Sequence, residues 1–230
     1  MHSFFQDFVR DDEGNIISCK MHDIVHNLVQ ILTQNECLFM KNNEFKGSKV
    51  RHLTAWEFRD ANSICSANNM RTLRTNAKYI VGLFHQIACL RALDLRRSNI
   101  TILPPENNLK RLPETITNLY NLQTLMLDWC TNLCELPQGM GKLVNLRHLG
   151  IKYTDKLEFL PQGIGRMRSL RTLSKFIVGG GWNIGELKNL KLHQRKLEIM
   201  NLEKVTNKDE AMEAQLKNES YLRDLQLFFK

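Results

Sequence analysis

The chain lacks the features that would direct it out of a cell or into a membrane. Its first residues, Met1 to Asp7, have neither the basic start nor the continuous apolar stretch of a secretory signal. No apolar run approaches the roughly 20 residues that a membrane-spanning helix needs. We therefore expect an intracellular protein located in the cytoplasm, with the nucleus as an alternative.

Cysteine is present, but without the spacing of a disulfide framework. The cysteines are spread along the chain at Cys19, Cys37, Cys65, Cys89, Cys130 and Cys134. Without a secretory signal, this arrangement favours reduced thiols. Cys130 and Cys134 flank a loop after a predicted strand, and we expect them to pack as small apolar side chains rather than to act in redox chemistry.

Motifs for catalysis, phosphate binding and metal binding are missing as well. The sequence contains no G-x-x-x-x-G-K-[ST] loop, no H-E-x-x-H and no nucleophile elbow. Cys19, His22 and His26 form C-x-x-H-x-x-x-H, but a structural zinc site needs a fourth ligand, so we predict no metal. An enzyme is therefore the least supported class of function.

Positive charge is abundant but is not gathered into a tail. The net charge is +8, and residues 1–50 carry five Lys/Arg against seven Asp/Glu, whereas residues 51–230 carry 27 against 17. Such a balance favours association with an acidic protein surface or with nucleic acid. Because no Lys/Arg-rich run is present, we expect a protein partner rather than a nucleic acid.

What the sequence does contain is a repeat. The segments Leu122-x-x-Leu125-x-Leu127, Leu146-x-x-Leu149-x-Ile151 and Leu170-x-x-Leu173 begin 24 residues apart, and Leu-Pro pairs at 112, 136 and 160 recur with the same step. This period lies within the range of leucine-rich repeats. Each unit is too small to bury its leucines alone, so stacked units must share one core.

The second leucine of each strand extends the series in both directions. The predicted anchors are Leu53, Leu73, Leu93, Leu125, Leu149, Leu173, Leu197 and Leu225. The interval from Leu93 to Leu125 is 32 residues and contains two Leu-Pro pairs, at 103 and 112. We therefore predict an α/β leucine-rich-repeat solenoid with parallel strands on its concave face, irregular between residues 100 and 112.

Residues that alternate with the buried leucines should point from the concave face toward a protein partner. These candidates are Asp94, Arg96, Met126, Asp128, Trp129, His148, Gly150, Lys152, Tyr153, Phe176 and Met200. Trp129 and Tyr153 follow successive strands, and exposed aromatics beside Arg or Lys are enriched in protein interfaces. The alternative is that either ring packs into its own loop.

Residues 4–50 do not follow the repeat. Phe8-Val9 and Ile16-Ile17 on either side of an Asp/Gly/Asn turn predict a hairpin. Apolar residues at helical spacing then predict a helix over residues 23–34, with Asp23 as its N-cap. We assign residues 1–45 to the last part of a winged-helix subdomain and residues 46–230 to the repeats.

Met21-His22-Asp23 at the start of this helix resembles the MHD motif of plant disease-resistance proteins of the nucleotide-binding, leucine-rich-repeat (NB-ARC/LRR) class, coiled-coil type. The resemblance continues through Val50-Arg51-His52-Leu53, Leu90 to Leu95, Asn121 to Leu125, Gly163-Ile164-Gly165 and Phe176 to Gly179. It covers nearly the whole chain.

The resemblance implies specific roles. In that class the MHD histidine contacts the phosphates of ADP, so His22, beside Met21 and Asp23, would carry this role; a helix N-terminus is also where anions are favoured. The phosphate-binding loop is absent, however, and Gly179 to Trp182 lacks the lysine and hydroxyl it requires. We expect a truncated fragment that begins near the MHD motif and holds no cofactor, whereas full-length members bind ADP or ATP.

The resulting hypothesis is a fragment of a plant innate-immune receptor whose repeats act as a protein-recognition and autoinhibition scaffold. Its partner would be the receptor's own nucleotide-binding region, a pathogen effector or a host target. The alternative is a basic nucleic-acid-binding protein or a general protein-interaction scaffold.

Overall fold

The structure is a computed structural model and describes residues 4–10, 14, 16–33, 36–40, 50–55, 69–75, 84–98, 111–181 and 183–229. An antiparallel hairpin of β1 (Phe5–Arg10) and β2 (Ile16–Met21) precedes helix α1 (Asp23–Leu32). The later strands are β3 (Cys37–Met40), β4 (His52–Ala55), β5 (Thr72–Thr75), β6 (Ala92–Asp94), β7 (Thr124–Met126), β8 (His148–Gly150), β9 (Thr172–Leu173), β10 (Lys175–Ile177), β11 (Lys196–Met200) and β12 (Asp224–Leu227).

Short helices connect the later strands. Helix α2 spans Lys208–Glu213. The described 3-10 helices are Glu114–Asn118, Gln138–Lys142, Ile164–Arg166, Ile184–Asn189, Leu202–Lys204 and Leu216–Asn218.

The strands β3 to β9 form one parallel sheet in chain order. One leucine per strand sets the register: Leu38, Leu53, Leu73, Leu93, Leu125, Leu149 and Leu173. The last six are at most 1% exposed. The predicted anchors from Leu53 to Leu173 are therefore confirmed, and because the paired leucines are stacked, each unit buries its apolar side chains against its neighbours.

Strand β3 extends this sheet by one strand before the first predicted anchor. Leu38 pairs with Leu53 after only 15 residues, a step shorter than any leucine-rich repeat. This strand lies inside the range 1–45 that the sequence assigns to a winged helix, and yet it pairs with β4. The winged-helix subdomain and its boundary remain predictions.

The 3-10 helices close the other side of the core. Ile116, Met140 and Ile164, one from each of three successive 3-10 helices, are at most 2% exposed. Pro113 and Pro137 stand at the N-caps of the first two, where an extended residue without a backbone N–H starts the turn. The Leu-Pro pairs therefore mark the points at which the chain begins its return across the core.

Cys130 packs in this core, as predicted from its position in the loop after a strand. Its side chain is fully buried, and its thiol donates to the Leu95 carbonyl oxygen at 3.1 Å. Burial raises the pKa of the Cys130 thiol to about 11. Cys134 is half-buried, Cys19, Cys37 and Cys89 are exposed, all five are free thiols, and Cys65 lies outside the described residues.

Gly165 is required by the close approach of the next unit. A Cβ at this position would lie 2.9 Å from the backbone carbonyl oxygen of Glu186. The Gly165 N–H donates to the Glu186 carboxylate at 2.8 Å, which satisfies a backbone donor at the start of the 3-10 helix. Gly-x-Gly after a Leu-Pro pair is thus a packing feature of this fold.

After β9 the sheet is interrupted and a second parallel sheet, β10-β11-β12, begins. The side-chain amide of Gln194 bridges the break: it accepts from the Leu173 N–H and donates to the Leu173 carbonyl, both at 2.7 Å. Leu197 then pairs with Leu225 in the second sheet, where Leu225, on the edge strand β12, is 38% exposed.

The N-terminal segment contains the predicted hairpin and helix. Helix α1 ends at Leu32. The prediction that Asp23 is its N-cap is wrong, because the N-cap is His22 and Asp23 is the first helical residue. An acidic residue is still favourable there, since it faces the positive end of the helix dipole.

The stretch predicted to be irregular, residues 100–112, lies outside the described residues except for its last two. Arg111 forms an isolated parallel bridge with Glu135, and Leu112 is buried. The Leu103-Pro104 pair is not among the described residues.

Candidate functional site

The exposed face of the parallel sheet carries side chains in columns, one residue from each strand. Side chains alternate between the two faces of a strand, so residues beside the buried leucines point to solvent. We call the exposed face of β4–β9, together with the residues Arg96, Arg97, Asp128, Trp129, Lys152 and Tyr153 that follow its strands, the concave face. Its central column contains Arg74, Asp94, Met126 and Gly150, which are neighbours by strand register.

Asp94 is the electrostatic centre of this face. Its carboxylate accepts from Arg96 at 2.7 Å (Nη2), 3.0 Å (Nε) and 3.1 Å (backbone N), and Arg74 Nε lies 3.4 Å away. Burial acts to raise the pKa of Asp94, but these hydrogen bonds and the two guanidinium charges outweigh it and lower the pKa below 3.8. The same contact raises the pKa of Arg96. Both groups are therefore charged and held in place.

Asp128 organises the next column. Its Oδ1 accepts from the Lys152 backbone N–H at 2.7 Å, which ties one unit to the next. At Gly150 a Cβ would lie 2.7 Å from both Asp128 Oδ2 and Met126 Sδ. The missing side chain at Gly150 therefore leaves room for Met126 and Asp128 to turn across the sheet.

Trp129 and Tyr153 form a stacked pair at the edge of the concave face. Their ring centroids are 3.9 Å apart with the planes at 25°, and the residues are 46% and 51% exposed. The backbone is left-handed at both, with φ of 64° and 55°, and also at Arg97, with φ of 59°. The Arg97 and Trp129 N–H groups still donate to the next unit, to Asp128 O and Lys152 O, each at 2.9 Å. The rings are thus partly solvent-exposed, and neither is buried in its own loop.

Basic side chains surround this pair. A cleft of about 410 Å³ is lined by Arg74, Arg96, Arg97, Asp128, Trp129, Lys152 and Tyr153. A flat aromatic surface beside guanidinium and ammonium groups can stack on a planar or apolar group and accept an acidic one at the same time. This combination is typical of the residues that dominate protein interfaces.

A second cleft, of about 540 Å³, lies where the first sheet ends. It is lined by residues of the concave face and of the break, including Met126, Asp128, Lys152, His193 and Gln194. His148 precedes Leu149, which lines this cleft, and its Nδ1 lies 2.9 Å from the hydroxyl of Thr172, another lining residue. Burial and the charges of Arg147 and Arg171 lower the pKa of His148, which favours the neutral imidazole.

The structure corrects one predicted concave residue. Phe176 is 3% exposed and belongs to the core. The strand bends at Ser174, so that Lys175 occupies the position of Leu127 and Ile151 in earlier units and directs its ammonium to the Thr154 carbonyl oxygen at 3.1 Å. The prediction for Phe176 assumed that side chains continue to alternate between the two faces after Leu173, and the bend ends this alternation.

Gly150 lies in the central column but is buried, with Asp128 and Met126 close to the place of its absent Cβ. The other predicted concave residues of the first sheet are exposed or half-buried: Asp94, Arg96, Met126, Asp128, Trp129, His148, Lys152 and Tyr153. Met200, in the second sheet, is half-buried. Arg74 and Arg97 were missed. The repeat could have identified both residues. Arg74 follows its anchor leucine as Asp94 does and pairs with Asp94 in the sheet, and Arg97 holds the same repeat position as Trp129 and Tyr153.

The MHD-like residues lie at the junction between the hairpin and helix α1. Met21 ends β2, while His22 and Asp23 are exposed at the start of α1. The Asp23 carboxylate stands in the first helical turn, where it repels a phosphate. In the part of the chain that is described, no three His, Cys, Asp or Glu residues lie close enough to hold a metal ion.

Stacked parallel strands, one buried leucine per unit and a polar, aromatic exposed face define a leucine-rich-repeat scaffold. A family profile described as "Leucine-rich repeat region" matches residues 29–230. The chain therefore belongs to the leucine-rich-repeat family, whose members act as protein-interaction scaffolds. No helix within the described ranges is long and apolar enough to cross a membrane.

Two known proteins are similar over almost the whole chain. A protein of Arabidopsis thaliana named as a disease resistance protein is 37% identical over 255 residues, which cover 96% of this chain and 18% of that protein. The structure of the plant peptide hormone receptor RGFR1 in complex with RGF2 matches with a TM-score of 0.51 at 16% identity, over 98% of this chain and 36% of that one. The chain spans about a fifth of the length of its Arabidopsis relative, and the second likeness supports the fold alone.

Proposed function

We propose that the chain is the protein-recognition part of a plant innate-immune receptor, and that its concave face binds the partner. The observation that carries the proposal is the Trp129–Tyr153 pair beside Arg96, Arg97 and Lys152. Interface hot spots are enriched in Trp, Tyr and Arg. The identity of over a third with a plant disease resistance protein supplies the biological setting.

The partner, on this proposal, is a pathogen effector, a host protein or the receptor's own nucleotide-binding region. Binding the last of these would hold the receptor in its resting state, and a second ligand with higher affinity for the released state would shift the balance. The resemblance of Met21-His22-Asp23 to the MHD motif supports such a link. His22 would contact ADP only within a longer receptor, located in the cytoplasm or nucleus.

The aromatic pair supplies the test. The 230-residue chain is used to capture proteins from plant leaf extract, with and without pathogen infection, alongside the double variant Trp129→Ala/Tyr153→Ala. The control is Tyr120→Ala, because Tyr120 is 57% exposed but lies in the loop before β7 and not among the residues that line the concave clefts.

We expect at least one protein to be captured by the wild type and the control but not by the double variant. With that protein purified, the loss should be at least about 30-fold in Kd, since hot-spot aromatics contribute about 2 kcal/mol or more. In leaves, expression of the wild type but not of the double variant should change a defence-gene reporter. Identical capture by all three chains, with no effect on the reporter, contradicts the proposal.

A further inference from the structure

A column of arginines runs along the edge at which the parallel strands begin. Arg51, Arg71, Arg91, Arg147 and Arg171 each stand one residue before a strand, from β4 to β9, and Gln123 takes this place before β7. We call these five residues the arginine column. None of them was selected by the sequence analysis, because they lie outside the alternating pattern of the strands.

The column is held together through the backbone. Three members donate the backbone N–H to the carbonyl of the preceding arginine: Arg71 to Arg51 at 2.7 Å, Arg91 to Arg71 at 2.8 Å and Arg171 to Arg147 at 2.8 Å. Gln123 links the two halves, because its N–H donates to the Arg91 carbonyl at 2.7 Å and its carbonyl accepts from the Arg147 N–H at 2.8 Å. Neighbouring strands lie about 4.8 Å apart, so the column spans about 24 Å. The arginines therefore occur at a fixed spacing set by the sheet.

Their charges are largely uncompensated within the described part of the chain. Arg51 lies 3.6 Å from Glu36, and the other four form no salt bridge with a described carboxylate. All four of these side chains are exposed. Like charges in adjacent positions of a sheet destabilise it, so the neighbouring pairs Arg71–Arg91 and Arg147–Arg171 carry a cost that an anionic ligand would remove.

Two further observations bear on the two ends of the column. A depression of about 240 Å³ lies between its first three members and is otherwise lined by Asn69, Cys89 and Asn121, of which the Asn121 amide donates to the Ala88 carbonyl oxygen at 3.1 Å. At the other end, the charges of Arg147 and Arg171 are part of what lowers the pKa of His148.

We propose that the arginine column is a docking site for an extended acidic polypeptide segment of a partner protein, distinct from the aromatic site on the concave face. The guanidinium fork pairs with carboxylates in two-point contacts, and an extended chain can place acidic side chains along a regular row.

A polypeptide fits this surface better than a nucleic acid. Asp94 and Asp128 stand three and five residues further along their units, where their carboxylates would repel a phosphate backbone that extended beyond the column. An extended acidic peptide that follows only the arginine column avoids these two carboxylates. Proteins that bind single-stranded nucleic acids also stack bases on aromatic side chains, whereas, among the residues that the structure describes, no aromatic one lines the depression between Arg51, Arg71 and Arg91.

The test measures binding of a fluorescent oligoglutamate peptide to the full chain by anisotropy, at about 50 mM and about 150 mM salt. The variant is Arg91→Gln/Arg147→Gln/Arg171→Gln. The matched control, Lys142→Gln/Arg166→Gln/Lys188→Gln, removes the same charge from exposed residues of the 3-10 helices. An oligothymidylate with the same number of charges is the second probe, and circular dichroism verifies folding.

We expect the wild type to bind oligoglutamate more tightly than oligothymidylate, and more weakly as salt rises. The column variant should lose about tenfold in affinity, because each exposed ion pair contributes up to about 1 kcal/mol, while the control loses less than about twofold. If the triple variant does not fold, Arg147→Gln alone should weaken binding about two- to fourfold. Trp129→Ala should leave oligoglutamate binding unchanged, which separates this result from a failure of the proposed function.

Three outcomes overturn the proposal. The first is no oligoglutamate binding by the wild type at low salt. The second is an equal loss in the column variant and its control, which would assign binding to net charge alone. The third is tighter binding of oligothymidylate, which would make the surface a nucleic-acid site.

Discussion

Substituting Leu149 tests the shared core most directly. This leucine is 1% exposed and lies between Leu125 and Leu173 in adjacent strands. Leu149→Ala removes the equivalent of three methylenes, or about 2.4 kcal/mol of transfer free energy, and the remaining cavity brings the loss to about 3–5 kcal/mol. Leu149→Asp also buries a charge without a partner, so we expect that variant to be unfolded.

The control is Lys152→Glu, which changes an exposed side chain three residues away while keeping the backbone N–H that donates to Asp128. Its effect should stay within about 0.5–1 kcal/mol. Urea unfolding followed by circular dichroism measures all three variants. Equal shifts of the midpoint for Leu149→Ala and Lys152→Glu, or a folded Leu149→Asp chain, would refute the register on which the concave face depends.

Three other predictions address single groups. At pH 8, iodoacetamide should alkylate exposed Cys37 in the native chain but leave Cys130 unmodified, since its pKa of about 11 keeps it a thiol; mass spectrometry reads both sites. Asp94→Asn should lower the free energy of unfolding by about 1–3 kcal/mol at pH 7 and by less at pH 3. The pKa of Asp94 is lower in the folded chain than in the unfolded chain, so its ionised carboxylate stabilises the fold above pH 3.8, and this stabilisation is lost as the pH falls. Gln194→Ala should lower the free energy of unfolding in urea by about 1–3 kcal/mol, because the Leu173 N–H and carbonyl lose their partner. The control Gln162→Ala, at an exposed position, should lower it by about 0.5 kcal/mol, and equal losses would show that the Gln194 bridge does not stabilise the fold.

The repeat could be predicted because its leucines recur at intervals that are visible in the sequence. Leucines 20, 24 or 32 residues apart all reach the same place in the sheet, since a longer connection can loop out without changing the strand it joins. Leu38 escaped prediction for the opposite reason: its 15-residue step to Leu53 is shorter than the repeats, so no periodic pattern could identify it.

The error at Phe176 arose from a local change that periodicity does not contain. Strand alternation assumes a regular strand, and the bend at Ser174 ends this regularity one residue after Leu173. Lysine at position 175, where earlier units have Leu127 and Ile151, was the available signal. A charged residue at a core position indicates a local rearrangement.

The concave face could be predicted as a set of residues but not as a set of contacts. Asp94 and Arg96 were expected to be exposed, whereas the approach of Arg74, 20 residues earlier in the chain, depends on strand register and side-chain rotamer. The stacking of Trp129 on Tyr153 follows from two left-handed residues in successive units. Backbone dihedrals of this kind have no reliable signal when the residues are Trp and Tyr.

Those left-handed residues also have an evolutionary consequence. A non-glycine residue in this conformation costs roughly 1 kcal/mol or more, and glycine or asparagine would be accommodated at lower energy. Three large side chains stand at positions with this left-handed backbone conformation: Arg97, Trp129 and Tyr153. Selection of a library for thermal stability alone should therefore replace them with glycine or asparagine, whereas selection for partner binding should retain them.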